Sequence, residues 1–140
     1  MINGELNFLL NMAKVQSIVS RKFDSLSVHG IGFSDFMILY VLYNAPGQRM
    51  RRIDLAERIG LTASGVTRLL APLEKIGLVG REVNERDARV SYVVITENGE
   101  KIFEESKVTA EQIANSLLPP KKGKAIQLMS ELLAELGGNL

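Results

Sequence analysis

Apolar residues recur along this chain in two rhythms, and each change of rhythm marks an element. From residue 5 to residue 26 the spacing is helical. Phe8, Met12, Val15, Val19 and Leu26 follow a near-heptad stripe, and Leu6, Leu9, Leu10 and Ala13 broaden it. A terminal helix with more than one apolar face needs more than one packing partner. Val28 to Gly32 is a glycine-containing breaker. Ser34 is expected to cap a second helix that reaches about Asn44. Because Phe36 through Tyr43 is apolar or aromatic all round, this second helix is predicted to be the central buried one. Ala45-Pro46-Gly47 ends it, and Gln48 to Met50 is expected to form a short strand.

Two short helices follow. In the first, from Ile53 to Ile59, Ile53, Ala56 and Ile59 form the predicted buried edge, and Gly60 stops the helix in the left-handed conformation. Thr62 is placed to cap the second. Its apolar stripe is Val66, Leu69, Leu70, Leu73 and Ile76, and Gly77 ends it. At about 100° per residue, Ser64, Arg68, Ala71 and Lys75 point the other way, with Thr67 on the flank and Glu74 nearer the edge. A helix enters a DNA major groove only if its outer face is slim and can donate hydrogen bonds, and this face fits. Pro72 removes one backbone hydrogen bond, so a bend or local loosening is expected near Arg68.

The rhythm then shortens to two. Leu78 to Val83 and Val90 to Ile95 are rich in β-branched residues and bracket the polar run from Asn84 to Arg89, the pattern of a hairpin. Helix–turn–helix followed by a charged hairpin is a winged helix–turn–helix. Thr96 caps a long helix from Glu97 to about Leu118, with Ile102, Phe103, Ala110, Ile113, Ala114 and Leu117 as its apolar positions. Pro119-Pro120 breaks the chain. A last helix runs from about Lys122 to Leu136 with a stripe of Ala125, Leu128, Met129, Leu132, Leu133 and Leu136. The predicted fold class is mainly α with a small β-hairpin wing.

The block from Leu55 to Gly99 resembles the MarR (multiple antibiotic resistance regulator) family of bacterial transcription factors. The Asp87-x-Arg89 wing signature and the Ile95-Thr96-Glu97-x-Gly99 exit from the wing carry the likeness, which is specific for the block as a whole. The resemblance implies that the first and the last two helices intertwine with those of a second copy. On that expectation residues 1–31 and 97–140 form a helical dimerisation region and residues 32–96 a DNA-binding region. The surplus apolar faces of the terminal helices need a cover on their own account, since the winged core is small; the resemblance makes that cover a second copy, and the alternative is a single-chain helical bundle that buries them itself.

Charge refines this picture. The net charge is +1, which alone says nothing about nucleic acid. Residues 48 to 96, however, hold nine Lys/Arg against six Asp/Glu, a net of +3, and the remainder holds eight against ten, a net of −2. The positive excess falls on the proposed DNA-binding block. Arg68 is the best candidate for a base contact, because a guanidinium can grip guanine O6 and N7 together. Ser64 and Thr67 are candidates for a base edge or a phosphate. Thr62 sits at a helix N-terminus, which suits a phosphate. Lys75 is either a phosphate contact or a solvated lysine, and Arg49, Arg51 and Arg52 precede the motif near the expected backbone. In the wing, the resemblance implies one arginine in the minor groove and Asp87 bracing the loop by pairing with a neighbouring arginine. Arg86 is favoured for the tip and Arg89 for the brace or a phosphate, and sequence leaves that choice open.

Catalytic and metal chemistry find no footing. Cysteine is absent, which excludes a disulfide, a thiolate metal site and a thiol redox sensor in this chain. The single histidine, His29, has no metal-ligand spacing and stands in a glycine loop. The Gly30-x-Gly32 pair is no dinucleotide fingerprint, since no strand precedes it and Asp35 occupies the third glycine position. No cofactor and no enzyme activity are expected. No apolar tract is long enough for a membrane span and no leader pattern opens the chain, so a cytoplasmic location is expected. The resemblance further implies repression of pseudo-palindromic operators, relieved by a small aromatic or phenolic molecule. Phe33, Tyr40 and Tyr43 are placed either to line a ligand pocket or to be plain core. The competing reading is a winged-helix protein-interaction module without DNA. Against it stands the polar, cationic face of residues 64 to 75, where a docking face would carry exposed aromatics or aliphatics.

Overall fold

A computed structural model describes all 140 residues. Helix α1 (Gly4–Lys22) opens on Asn3, whose side chain accepts the Leu6 N–H. The expected helix to residue 26 is corrected here: from Phe23 to His29 the chain winds as a 3₁₀ helix, closed by left-handed Gly30. Three residues per turn align positions 23, 26 and 29 on one edge. Phe23 and Leu26 thereby enter the core together, and His29 meets Thr109, with 2.7 Å between Nε2 and Oγ1.

Helix α2 (Phe33–Asn44) starts earlier than the expected Ser34 cap. Gly32 is the cap residue, and its N–H donates to the Asp35 carboxylate at 2.9 Å. Ile38, Leu39, Val41 and Leu42 are buried, so α2 is the central helix. Strand β1 (Arg49–Arg51) leads directly into α3 (Arg52–Ile59), and Gly60 caps α3 in the left-handed region at φ 73°. The predicted edge of α3 was wrong at one position. Ile53 is 63% exposed, and Leu55 is buried in its place beside Ala56. Positions 52, 55, 56 and 59 form the inward i, i+3, i+4, i+7 stripe of the helix, and residue 53 faces away.

Helix α4 (Ala63–Lys75) buries Val66, Leu70 and Leu73. It runs as one helix through Pro72, which lies on its exposed side. Ile76, expected in the buried stripe, is 55% exposed, because the helix has ended at Lys75 and the chain is turning into Gly77. Strands β2 (Val79–Val83) and β3 (Ser91–Ile95) form the wing, and β1 pairs with the other side of β3, giving an antiparallel sheet of order β1-β3-β2. Val93 and Ile95 face the core from the middle strand.

Helix α5 (Glu97–Leu117) is capped by Thr96, whose hydroxyl accepts the Gly99 N–H and donates to Gly77 O at 2.6 Å. Phe103, Ser106 and Ala110 bury its inner face against the rest of the core. The core cluster draws Phe23 and Leu26 from before α2 and Phe103 and Ala110 from α5, so the long helices and the winged unit share it. Helix α6 (Gly123–Glu135), like α1, buries no residue within the chain. Leu6, Phe8, Leu9, Leu10, Val15 and Ile18 stand exposed on α1, and Ile126, Leu128, Met129, Leu133 and Leu136 on and just after α6. No single helix is long and apolar enough to cross a membrane.

Candidate nucleic-acid interface and aromatic cleft

Helix α4 presents the candidate reading face. Thr62 occupies its N-cap: the hydroxyl accepts the Gly65 N–H at 3.1 Å and lies 3.2 Å from Ser64 Oγ. Thr67 donates to Ala63 O at 3.0 Å and accepts from Arg52 Nη1 at 3.0 Å. With its only proton committed to Ala63, Thr67 has one lone pair and a methyl group left for a ligand. Arg68 and Lys75 are exposed and form no ion pair with the rest of the chain.

The wing tip is shaped by Asn84. Its side-chain oxygen accepts the backbone N–H groups of Arg86 (2.8 Å) and Asp87 (3.2 Å), and the Asn84 N–H donates to Val90 O. Asp87 then takes three bonds from Arg89: the backbone N–H at 3.0 Å, Nε at 3.0 Å and Nη2 at 3.1 Å. The Arg89 side chain and then its backbone N–H hold the Asp87 carboxyl below the usual aspartate range, outweighing desolvation. A lowered value keeps this carboxylate ionised across the neutral range, and the pairing is lost only as pH falls through that lowered value. Arg86 extends from the tip without an ion-pair partner.

The remaining arginines are less free than sequence suggests. Arg49 pairs with Glu82 across the sheet, and its guanidinium lies 4.5 Å from the centroid of the Tyr92 ring. Glu74 Oε1 lies 3.5 Å from Arg52 Nη2 and 3.3 Å from Arg81 Nε. Of the nine cations between residues 48 and 96, Arg49, Arg52, Arg81 and Arg89 are tied to carboxylates, and Arg51, Arg58, Arg68, Lys75 and Arg86 are not. The role of Glu74 went unread in sequence, although its spacing seven residues after Thr67 puts both on one flank of α4.

A second feature lies behind this face. A cleft of about 370 Å³ opens between α2 and α5, walled by Phe23, Phe33, Phe36, Tyr40, Tyr43 and Phe103, with Lys107 and Glu111 among its polar edges. The aromatic rings pack on one another, Phe23 on Phe33 at 4.1 Å and Tyr43 on Phe103 at 4.6 Å between centroids. Tyr43 donates its hydroxyl to Glu104 Oε1 at 2.8 Å. That hydrogen bond, the Glu104 charge, burial and the Glu100 charge together raise the phenol above its ordinary value, so it keeps its proton. Sequence reasoning had named Phe33, Tyr40 and Tyr43 as candidates. It missed Phe23 and Phe36, and also Phe103 and Lys107, which reach the cleft only because α5 crosses α2.

The model of the MarR family matches residues 34–91, which span α2, the helix–turn–helix and most of the wing. Residues 34–91 thus form a MarR family domain. The chain is similar over nearly its whole length to the HTH-type transcriptional regulator YdgJ of Bacillus subtilis (strain 168), at 27% identity over 136 residues, covering 97% of this chain and 80% of that one. Among solved structures, the MarR family regulator Sco3205 from Streptomyces coelicolor, in complex with DNA, superposes with a TM-score of 0.76 at 22% identity, covering 96% of this chain and 89% of the other. CouR from Rhodococcus jostii RHA1, bound to p-coumaroyl-CoA, gives a TM-score of 0.79 at 20% identity, with coverage of 94% and 90%. At these identities the likeness establishes the fold. The relatives that this chain resembles are transcriptional regulators.

Proposed function

We propose that this chain is a MarR family transcriptional regulator, a cytoplasmic homodimer that binds pseudo-palindromic DNA and represses from it until a small aromatic or phenolic molecule enters the cleft. The observation that carries the DNA reading is the pairing pattern just described. Intramolecular carboxylates occupy four arginines, and the unpaired cations include Arg68 on α4 and Arg86 at the wing tip. In this reading residues 32–96 bind DNA and residues 1–31 and 97–140 join the two copies. Each α4 lies in a major groove, the two separated by about 34–36 Å along one face of the duplex. Arg68 contacts a base edge, with Ser64 and Thr67 beside it. Thr62 and Lys75 lie against phosphates, Arg86 reaches toward the minor groove, and the Asp87–Arg89 pair braces the wing. That Sco3205, whose fold this chain shares, has been solved in complex with DNA supports the DNA-binding reading.

Supporting the ligand part is the cleft, whose six aromatic walls suit a planar apolar group. Its position also offers a route for control. Phe36 and Tyr43 on one wall belong to α2, Phe103 on the other to α5, and α5 begins at the Thr96 bonds to Gly77 and Gly99. Spreading α2 from α5 would therefore shift the end of α4 and change the distance between the two reading helices.

Selection of bound fragments from the source genome, repeated with candidate aromatic metabolites, tests the whole reading. Recovery of a two-half-site motif that is lost with one metabolite class supports it, and a fragment pool with no enriched sequence refutes it. Against such a site, Arg68→Ala is expected to weaken binding by about 1–3 kcal/mol and to relax preference at one base per half-site. Unchanged selectivity across an operator library would remove Arg68 from its assigned place. Arg86→Ala is expected to flatten the dependence of log K on log salt by about 1 per wing engaged, and an unaltered slope would show that the wing stays off the duplex.

A further inference from the structure

Glu74 is the only acidic residue on α4, and it lies in the last turn on the flank it shares with Thr67, beside the candidate reading face. A single oxygen, Oε1, faces two guanidiniums, Arg52 Nη2 at 3.5 Å and Arg81 Nε at 3.3 Å. Arg52 opens α3, and Arg81 lies in β2 at the root of the wing. Arg52 also donates to Thr67, whose hydroxyl is bonded to Ala63 O. One chain of contacts thus runs from the first turn of α4 to its last and across to the wing.

Stability does not account for this arrangement. The carboxylate and both cations retain contact with solvent, and pairs of that kind contribute about 0–1 kcal/mol each. Charge has a larger effect, because each additional phosphate neutralised steepens log K against log salt by about 0.9. An arginine cannot be silenced by deprotonation, so a fixed carboxylate is what can keep it from a phosphate. The first helix of a helix–turn–helix crosses the DNA backbone, which puts Arg52 within the zone where phosphates pass.

We infer that Glu74 is a specificity-determining positioning residue: by engaging Arg52 and Arg81 together it keeps two cations off phosphates and lowers sequence-independent DNA affinity, leaving the discrimination to α4. Arg52, held in this way, fixes the Thr67 rotamer that the reading face presents. This inference rests on the DNA-binding reading above.

The test is fluorescence anisotropy with a 30-base-pair random-sequence duplex, titrated from about 50 to 200 mM salt. Glu74→Gln keeps the shape and removes the charge. Its expected result is binding to that duplex roughly 3–10-fold tighter than wild type at the low-salt end, with a slope steeper by about 1 or more. Adding Arg81→Gln to Glu74→Gln should bring the slope back toward wild type. Far-ultraviolet circular dichroism checks that each variant is folded. A Glu74→Gln slope equal to that of wild type, or a loss of random-duplex binding in folded Glu74→Gln, overturns the inference and leaves the parent reading standing. Failure of wild type itself to form a salt-sensitive complex with any duplex overturns both.

Discussion

Gly99→Ala is expected to unfold the protein at a markedly lower temperature, although an alanine in a helix normally stabilises it by about 1 kcal/mol over glycine. A Cβ at position 99 would stand 2.1 Å from Leu78 O and 2.8 Å from Ile95 Cγ1. The obstructing atom is backbone, and it already accepts the Thr96 N–H at 3.1 Å. Relief therefore requires α5 to lift off the sheet or the end of α4 to move, and either one breaks the Thr96 contacts to Gly77 and Gly99. Overpacking of this kind costs about 3 kcal/mol, on the order of 10 °C in Tm for a chain of this size. Asn98→Ala, one residue away and exposed, serves as the comparison. Equal melting temperatures for the two variants would mean that α5 does not sit on Leu78 as described.

The second large effect concerns the uncovered helices. Leu128 and Leu136 are 61% and 56% exposed at α6 and its C-terminal edge, and neither helps to bury the core. Leu128→Glu combined with Leu136→Glu should leave the folded monomer intact by circular dichroism and yet shift sedimentation to the monomer mass. Placing carboxylates in an apolar contact between copies leaves them desolvated without partners. Once separated, each copy binds its half-site alone, and affinity for a two-half-site operator is expected to fall by about 10²–10⁴-fold. A variant that stays dimeric, or a monomer that holds the operator as tightly as wild type, would show that these helices do not join the subunits.

Much of the fold was legible where a helix marks its ends with a capping hydroxyl or a glycine. Thr62 and Thr96 cap where hydroxyls were expected, and Gly60 stops α3 in the left-handed region. The misreadings are as informative. Ile53 was placed inward because it is apolar, whereas α3 packs through Leu55 and Ala56, which turns Ile53 outward. The long first helix was read through to residue 26, since nothing in the pattern distinguishes 3.6 from three residues per turn over so short a span. Ser34 was chosen as a cap for its hydroxyl, but the Asp35 carboxylate binds the Gly32 N–H first.

Sequence alone determined the winged helix–turn–helix, the order of its elements, the surplus apolar faces of the terminal helices and the positive balance of residues 48 to 96, because periodicity, caps and charge counts are local properties. Only the tertiary structure decided which of those charges are free. Glu74 meets Arg52 and Arg81, Arg49 meets Glu82 across the sheet, and the cleft gains Phe103 from a helix far along the chain. Such pairings depend on the crossing of elements through a shared core, and no local pattern encodes where two side chains distant in sequence come to rest.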